Sequence, residues 1–241
     1  MHLLTAPVFG SKHLIGLLAV VVLNVALYVV FQRRVKTEKT FVWILTITFY
    51  VLEFIKIGYL IIRDGEFPMN HIPLHLCSMP LYAYLVWLLA KEGTMLKEAA
   101  KATAFGTVLI AGITALVMPV NIIGNLDNWA LEADNFLPIL SFVFHGLMVF
   151  SGWYIVKSGF LQVTKRTTLL AIAFTSALMV VALIVNGLTG SDYMLLNEGK
   201  GSPLVFLRDI APLLYTLTMI LLGYALIALT FGVAHLAKQD A

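Results

Sequence analysis

The sequence predicts an all-α fold: a polytopic membrane helix bundle of about seven transmembrane helices, with the N-terminus outside and the C-terminus cytoplasmic. Three observations carry this expectation. First, 60% of the 241 residues are hydrophobic and 12% are charged, and the mean hydropathy is +0.92. A soluble domain has about 25% charged and about 45–50% apolar residues, so this chain lacks the polar surface to live in water. Second, seven apolar runs approach the roughly 20 residues needed to cross a bilayer. Third, Lys and Arg are dense in alternate loops and sparse in the others.

The spans are expected near 13–31, 40–62, 72–90, 102–120, 137–157, 167–188 and 211–235, and together they make residues 1–241 a single membrane domain. The first run is long and its positive charges follow it, so no cleavable leader is expected. Arg33, Arg34, Lys36 and Lys39 separate the first two spans; Lys91, Lys97 and Lys101 separate the third and fourth; Lys157, Lys165 and Arg166 separate the fifth and sixth. With Lys238 these are eleven cations on one side, against Lys12, Arg63, Lys200 and Arg208 on the other. The positive-inside rule makes the richer side cytoplasmic. The net charge of +3 is therefore a topology signal, not a nucleic-acid footprint, and a multi-pass plasma-membrane protein is expected.

Two outer loops exceed a minimal connection. Asn121 to Phe136 carries Trp129 and Leu131 between acids, as an interfacial segment would. Thr189 to Ile210 is too apolar for a freely solvated loop and suits either the headgroup region or a lid over the helices. The chain contains one cysteine, so it forms no intramolecular disulfide.

Unusual polar residues converge on the outer half. The second span runs outward and carries Glu53 and Lys56, about 14 and 9 Å below its outer end. The third opens on Asn70-His71-Ile72-Pro73-Leu74-His75-Leu76-Cys77. The fourth ends near Asn121, the fifth reaches His145 about 14 Å down, and the sixth ends at Asn186, followed by Asp192 and Tyr193. Ionisable groups in a bilayer usually face the bundle interior and mark function, so a common polar cavity is expected. Each also has a structural explanation. Glu53 and Lys56 can neutralise each other at i,i+3, Asn121 and Asn186 can tie helix ends, and His145 can be a hydrogen-bonded core histidine.

Pro73 fits the first turn of a helix, which would put Cys77 near a helix N-terminus that favours thiolate. Paired with a histidine base, a thiolate can split acyl transfer into two steps through a thioester. By depth His145 is the better base, and His75 points elsewhere on a regular helix. Cys77 as a small buried hydrophobe is the plain alternative. A zinc site built on His71, His75 and His145 is a further reading, weakened by Pro73 and by the lack of an H-E-x-x-H motif. No metal or other cofactor is expected.

The Pro73-Leu74-His75-Leu76-Cys77 element resembles the L-P-L-H-L-C element of the YwaF-type family of bacterial integral membrane proteins. Phe144-His145-Gly146 matches that family's later histidine helix, and Asn186 with Asp192-Tyr193-Met194-Leu195-Leu196 matches its N-x5-N-Y-M-x-L element. The likeness covers residues 70–215 or so. Asp192 replaces the family's second Asn, and the Pro/Trp-rich start of the last helix is reduced to Ala211-Pro212-Leu213-Leu214-Tyr215. Distant animal relatives resemble lipid-modifying enzymes, including an acyltransferase of ether phospholipids. The resemblance implies Cys77 as acyl acceptor and His145 as base.

The expected activity is acyl transfer or hydrolysis on a membrane lipid, with Cys77, His145 and His75 in the catalytic group. Glu53, Lys56, His71, Asn121, Asn186, Asp192 and Tyr193 would contact substrate. A transporter or binding protein using the same cavity, and a zinc-dependent lipid hydrolase, are the alternatives.

Overall fold

A computed structural model describes residues 9–118, 136–199 and 202–239. Among these residues eight α-helices follow in order: α1 (Ser11–Arg34), α2 (Glu38–Asp64), α3 (Met79–Leu89), α4 (Met95–Val117), α5 (Phe136–Lys157), α6 (Lys165–Thr189), α7 (Phe206–Ile210) and α8 (Pro212–Gln239). No strand occurs among the described residues. Six of the helices (α1, α2, α4, α5, α6 and α8) are long and apolar enough to cross a membrane, and the chain is a multi-pass membrane protein.

The third expected span differs. Pro73 does not start a helix. Residue 72 is held extended (φ −53°, ψ 136°), as a residue before proline prefers. A 3-10 turn at Met69–His71 and another at Leu76–Ser78 precede α3, which carries its own proline, Pro80, in its first turn. The eleven residues of α3 and the three of the 3-10 turn rise about 22 Å, short of a hydrocarbon core of about 30 Å. The segment ahead of them is irregular backbone. That backbone satisfies itself: His71 N–H donates to Pro68 O (2.8 Å), Leu74 N–H to Ile72 O (2.7 Å) and Ser78 N–H to His75 O (2.9 Å). The Tyr82 hydroxyl adds a bond to Pro73 O (2.8 Å). Irregular backbone at membrane depth is tolerated where protein surrounds it in this way.

α4 is the central helix and packs on α3, α5, α6 and α8, while α1 lies against α5 and α2 against α3 and α5. Its small residues explain the closeness. A Cβ added at Gly112 would sit 2.8 Å from Met148 Cβ and 3.0 Å from His145 O, and one at Gly152 2.6 Å from Leu109 Cβ. Small residues at such crossings let helix backbones approach without lipid between them. Toward the ends rich in Lys and Arg, the core is aromatic: Phe31, Phe41, Tyr84, Trp87, Phe150 and Tyr154 are buried, and Phe41 stacks on Tyr154 with centroids 5.1 Å apart. The N-termini of α2, α4 and α6 are each capped by a threonine, Thr37, Thr94 and Thr164.

The segment between α6 and α8 is a packed cap. Tyr193 is 1% exposed and clusters with Leu74 and Ala182. Met194 and Leu195 both take left-handed φ (57° and 55°), which non-glycine residues rarely do. They are held there from α8, where the Tyr215 hydroxyl donates to Leu195 O (2.8 Å) and Thr216 to Leu196 O (2.9 Å).

Candidate functional site

His145 sits near the middle of α5, 5% exposed, beside the glycine contact that seats α5 on α4. One ring nitrogen, Nδ1, lies 2.7 Å from Ser141 O and 3.1 Å from Ser141 Oγ. A carbonyl only accepts, so Nδ1 carries the hydrogen, and the neutral ring leaves a lone pair on Nε2. Nε2 is buried and has no hydrogen-bond partner. A buried polar atom left in that state asks for a functional explanation.

Cys77 is half-buried in the 3-10 turn immediately ahead of α3, a turn that packs on α4. α2, which packs on both α3 and α5, carries a charged pair, Glu53 and Lys56. Lys56 is itself paired with Glu53 at 2.8 Å; Glu53 is buried and the Lys56 side chain keeps 27% exposure. The thiol, the imidazole and the ion pair thus sit on elements that pack against α4 or against one another.

His71 and His75 lie on either side of Pro73, in separate turns, so the i,i+4 helical alignment of a zinc site is not formed. Among the described residues no group of three or more His, Cys, Asp or Glu side chains is close enough to hold a metal ion. The His75 ring packs on Tyr193, with centroids 5.1 Å apart and planes tilted by 60°. His71, exposed on one side, has its pKa pushed below the ordinary value. Desolvation is the main cause, the positive charges of Lys56, His75 and Arg63 add to it, and Asp64 opposes it.

Asn186 and Asp192 are occupied by the cap. The Asn186 amide donates to Tyr193 O (3.0 Å) and accepts from Tyr193 N–H (2.8 Å). The Asp192 carboxylate accepts the backbone N–H groups of Asn197 (2.8 Å), Glu198 (3.0 Å) and Gly199 (2.8 Å). Tyr193 in turn donates its hydroxyl to Met69 O, which ties the cap to the irregular segment before Cys77. Asn121, and the loop that follows it, lie outside the described residues.

Sequence reasoning missed two polar residues of α1. His13 is fully buried and bridges Phe9 N–H (2.9 Å) and Leu116 O (2.7 Å). Asn24 donates to Val20 O (2.8 Å) and to Gly146 O (3.2 Å), next to His145. The signal was present: an amide and an imidazole in the first apolar run.

The sequence model of the TMEM164 family, a transmembrane protein family, matches residues 8–231. No curated protein and no solved structure matches the chain. With nearly its whole length matched, the chain belongs to the TMEM164 family.

Proposed function

We propose, proceeding from that membership, that the protein modifies membrane lipids by acyl transfer through a Cys77–His145 pair. The observation that carries this reading is the buried, unpartnered Nε2 of His145, with its tautomer fixed by Ser141. A base needs such an open lone pair, whereas a purely structural histidine would fill it. Further support comes from Lys56 of the adjoining α2, whose ammonium would stabilise a thiolate or a developing oxyanion.

In the first step Cys77 Sγ attacks an ester carbonyl of a lipid as its proton passes to His145 Nε2. The C–O bond breaks, the lysolipid alkoxide takes that proton, and a thioester remains on Cys77. In the second step Nε2 removes the proton of an acceptor hydroxyl, which attacks the thioester carbonyl. The C–S bond breaks and the proton returns to sulfur. With water as acceptor, the outcome is hydrolysis. The partners are membrane lipids and their acyl chains. The cellular setting proposed is the plasma membrane, with the N-terminus outside and the histidine-bearing end toward the outer face.

Incubating the purified protein with a diacyl phospholipid, quenching in acid and weighing the intact chain tests this. The expected result is a hydroxylamine-labile acyl adduct on Cys77, absent from Cys77→Ala. The rival reading is transport or binding at the Glu53–Lys56 pair, for which the burial of Glu53 beside a part-exposed Lys56 is the favouring observation. It predicts no adduct and no lipid turnover, but ligand binding lost in Lys56→Gln.

A further inference from the structure

At the end rich in Lys and Arg, about 27 Å along α2 from Lys56, the starts of α2 and α4 and the end of α3 enclose a pocket of about 500 Å3. Its walls include Thr37, Glu38, Lys39, Trp87, Glu92 and Lys97. We propose that this pocket binds the phosphate of an anionic phospholipid headgroup, seated between Lys39 and Lys97.

The charges in the pocket divide into fixed and available ones. Glu38 is fixed: its carboxylate accepts the Trp87 indole N–H (2.9 Å) and pairs with Lys101, which stands 5.5 Å over the Trp87 ring. Lys101 therefore neutralises Glu38, and Glu38 does not cancel the other lysines. Lys97 is built into the wall, with only 11% of its side chain exposed, and its partner Glu92 (2.5 Å) is 79% exposed. An incoming phosphate can replace so exposed an acid, because surface ion pairs contribute little. Lys39 is exposed and makes no ion pair among the described residues. Two ammonium groups thus face a polar pocket whose one loosely held counter-charge is Glu92. The positive ends of α2 and α4 add the same sign. Basic pockets between membrane helices are the usual seat of anionic headgroups.

Native mass spectrometry of the full-length protein in detergent, with equal phosphatidylglycerol and phosphatidylcholine added, tests the proposal. Phosphatidylglycerol should be retained in preference. Lys39→Gln and Lys97→Gln should each weaken its retention about five-fold, from roughly one lysine's worth of headgroup attraction. Glu92→Gln, an exposed change that frees Lys97, should strengthen it. Lys36→Gln, an equal loss of charge outside the pocket, should leave it unchanged, as should Cys77→Ala. Inorganic phosphate in a parallel titration identifies the source. Binding of phosphate with the same dependence on Lys39 and Lys97 assigns the pocket to soluble phosphate compounds, and lipid binding without it assigns it to the headgroup. The proposal is overturned if retention ignores Lys39 and Lys97, if Lys36→Gln lowers it equally, or if Glu92→Gln weakens it.

Discussion

The two ends of the bundle solve opposite problems. At the end rich in Lys and Arg, the loop between α1 and α2 is three residues long, three helices begin on threonine caps, and ion pairs such as Arg166–Glu98 (2.8 Å) lie toward the surface. At the other end, Glu53 and His145 are buried among apolar residues, 3-10 turns stand where the third expected span begins, and two residues of the cap hold left-handed φ. Helix caps and exposed pairs raise stability in small increments. Buried ionisable groups and unfavourable backbone lower it, and they persist where the surroundings enforce them, most often at functional sites. The contrast teaches that stabilising and destabilising features are divided between the two ends of the bundle, as the proposed chemistry at the histidine end would require.

If that division holds, the largest effect belongs to the histidine end. His145→Gln should reduce lipid turnover by about 10²–10⁴-fold, the usual contribution of a general base, without changing the thermal midpoint by more than a few degrees. Combined with Cys77→Ala it should do no further harm, since residues acting as one unit are not additive. Turnover surviving in folded His145→Gln would break the contrast outright.

Next in size is Asn186→Ala. It removes both bonds to the Tyr193 backbone and leaves buried groups unpaired, at a cost of about 1–3 kcal/mol. Proteolysis between residues 190 and 199 should become faster, and the cap should open before the bundle melts. A uniform loss of stability with no local cleavage would show that the cap is not a separate unit.

A smaller loss is expected at the opposite end. Thr94→Ala removes the acceptor for Lys97 N–H (3.3 Å), costing about 0.5–2 kcal/mol in the thermal midpoint and nothing in lipid turnover. An activity defect there would blur the separation between the ends.

The smallest effect is a pH dependence. The folded-state pKa of His71 is lowered, so the fold binds fewer protons at this site than the unfolded chain does. Stability is therefore full above the ordinary imidazole value, about 6.5, and is lost as pH falls through the folded value. A thermal melt series from pH 7.5 to 5 should show a shallow decline that His71→Gln removes.

Much of this was legible in the sequence because hydropathy is summed locally. The apolar runs near 13–31, 40–62, 137–157 and 167–188 became α1, α2, α5 and α6 with ends moved by a few residues, since burial in lipid and the ~1.5 Å rise leave one regular solution. The fourth run begins earlier, at Met95, because the Thr94 cap and not the first apolar residue starts the helix. Proline chemistry misled at one point: two prolines lie within eight residues, and Pro80, not Pro73, took the first turn of α3. The polar residues were legible as a set, but their partners were not.

By itself, then, the sequence determined an all-helical membrane bundle and the approximate place of most of its helices, because these follow from composition and position along the chain. Only the tertiary structure decided that Asn186 and Asp192 serve the cap, that His13 and Asn24 tie α1 to α4 and α5, and that His145 leaves Nε2 open. The physical reason is that all but the Asn186 and Asp192 contacts join groups far apart in sequence: Asn24 and Gly146 are 122 positions apart, and His13 and Leu116 are 103 apart. Hydrogen bonds are short and directional, so which groups meet, and which buried atom is left without a partner, is settled by how the helices pack against α4.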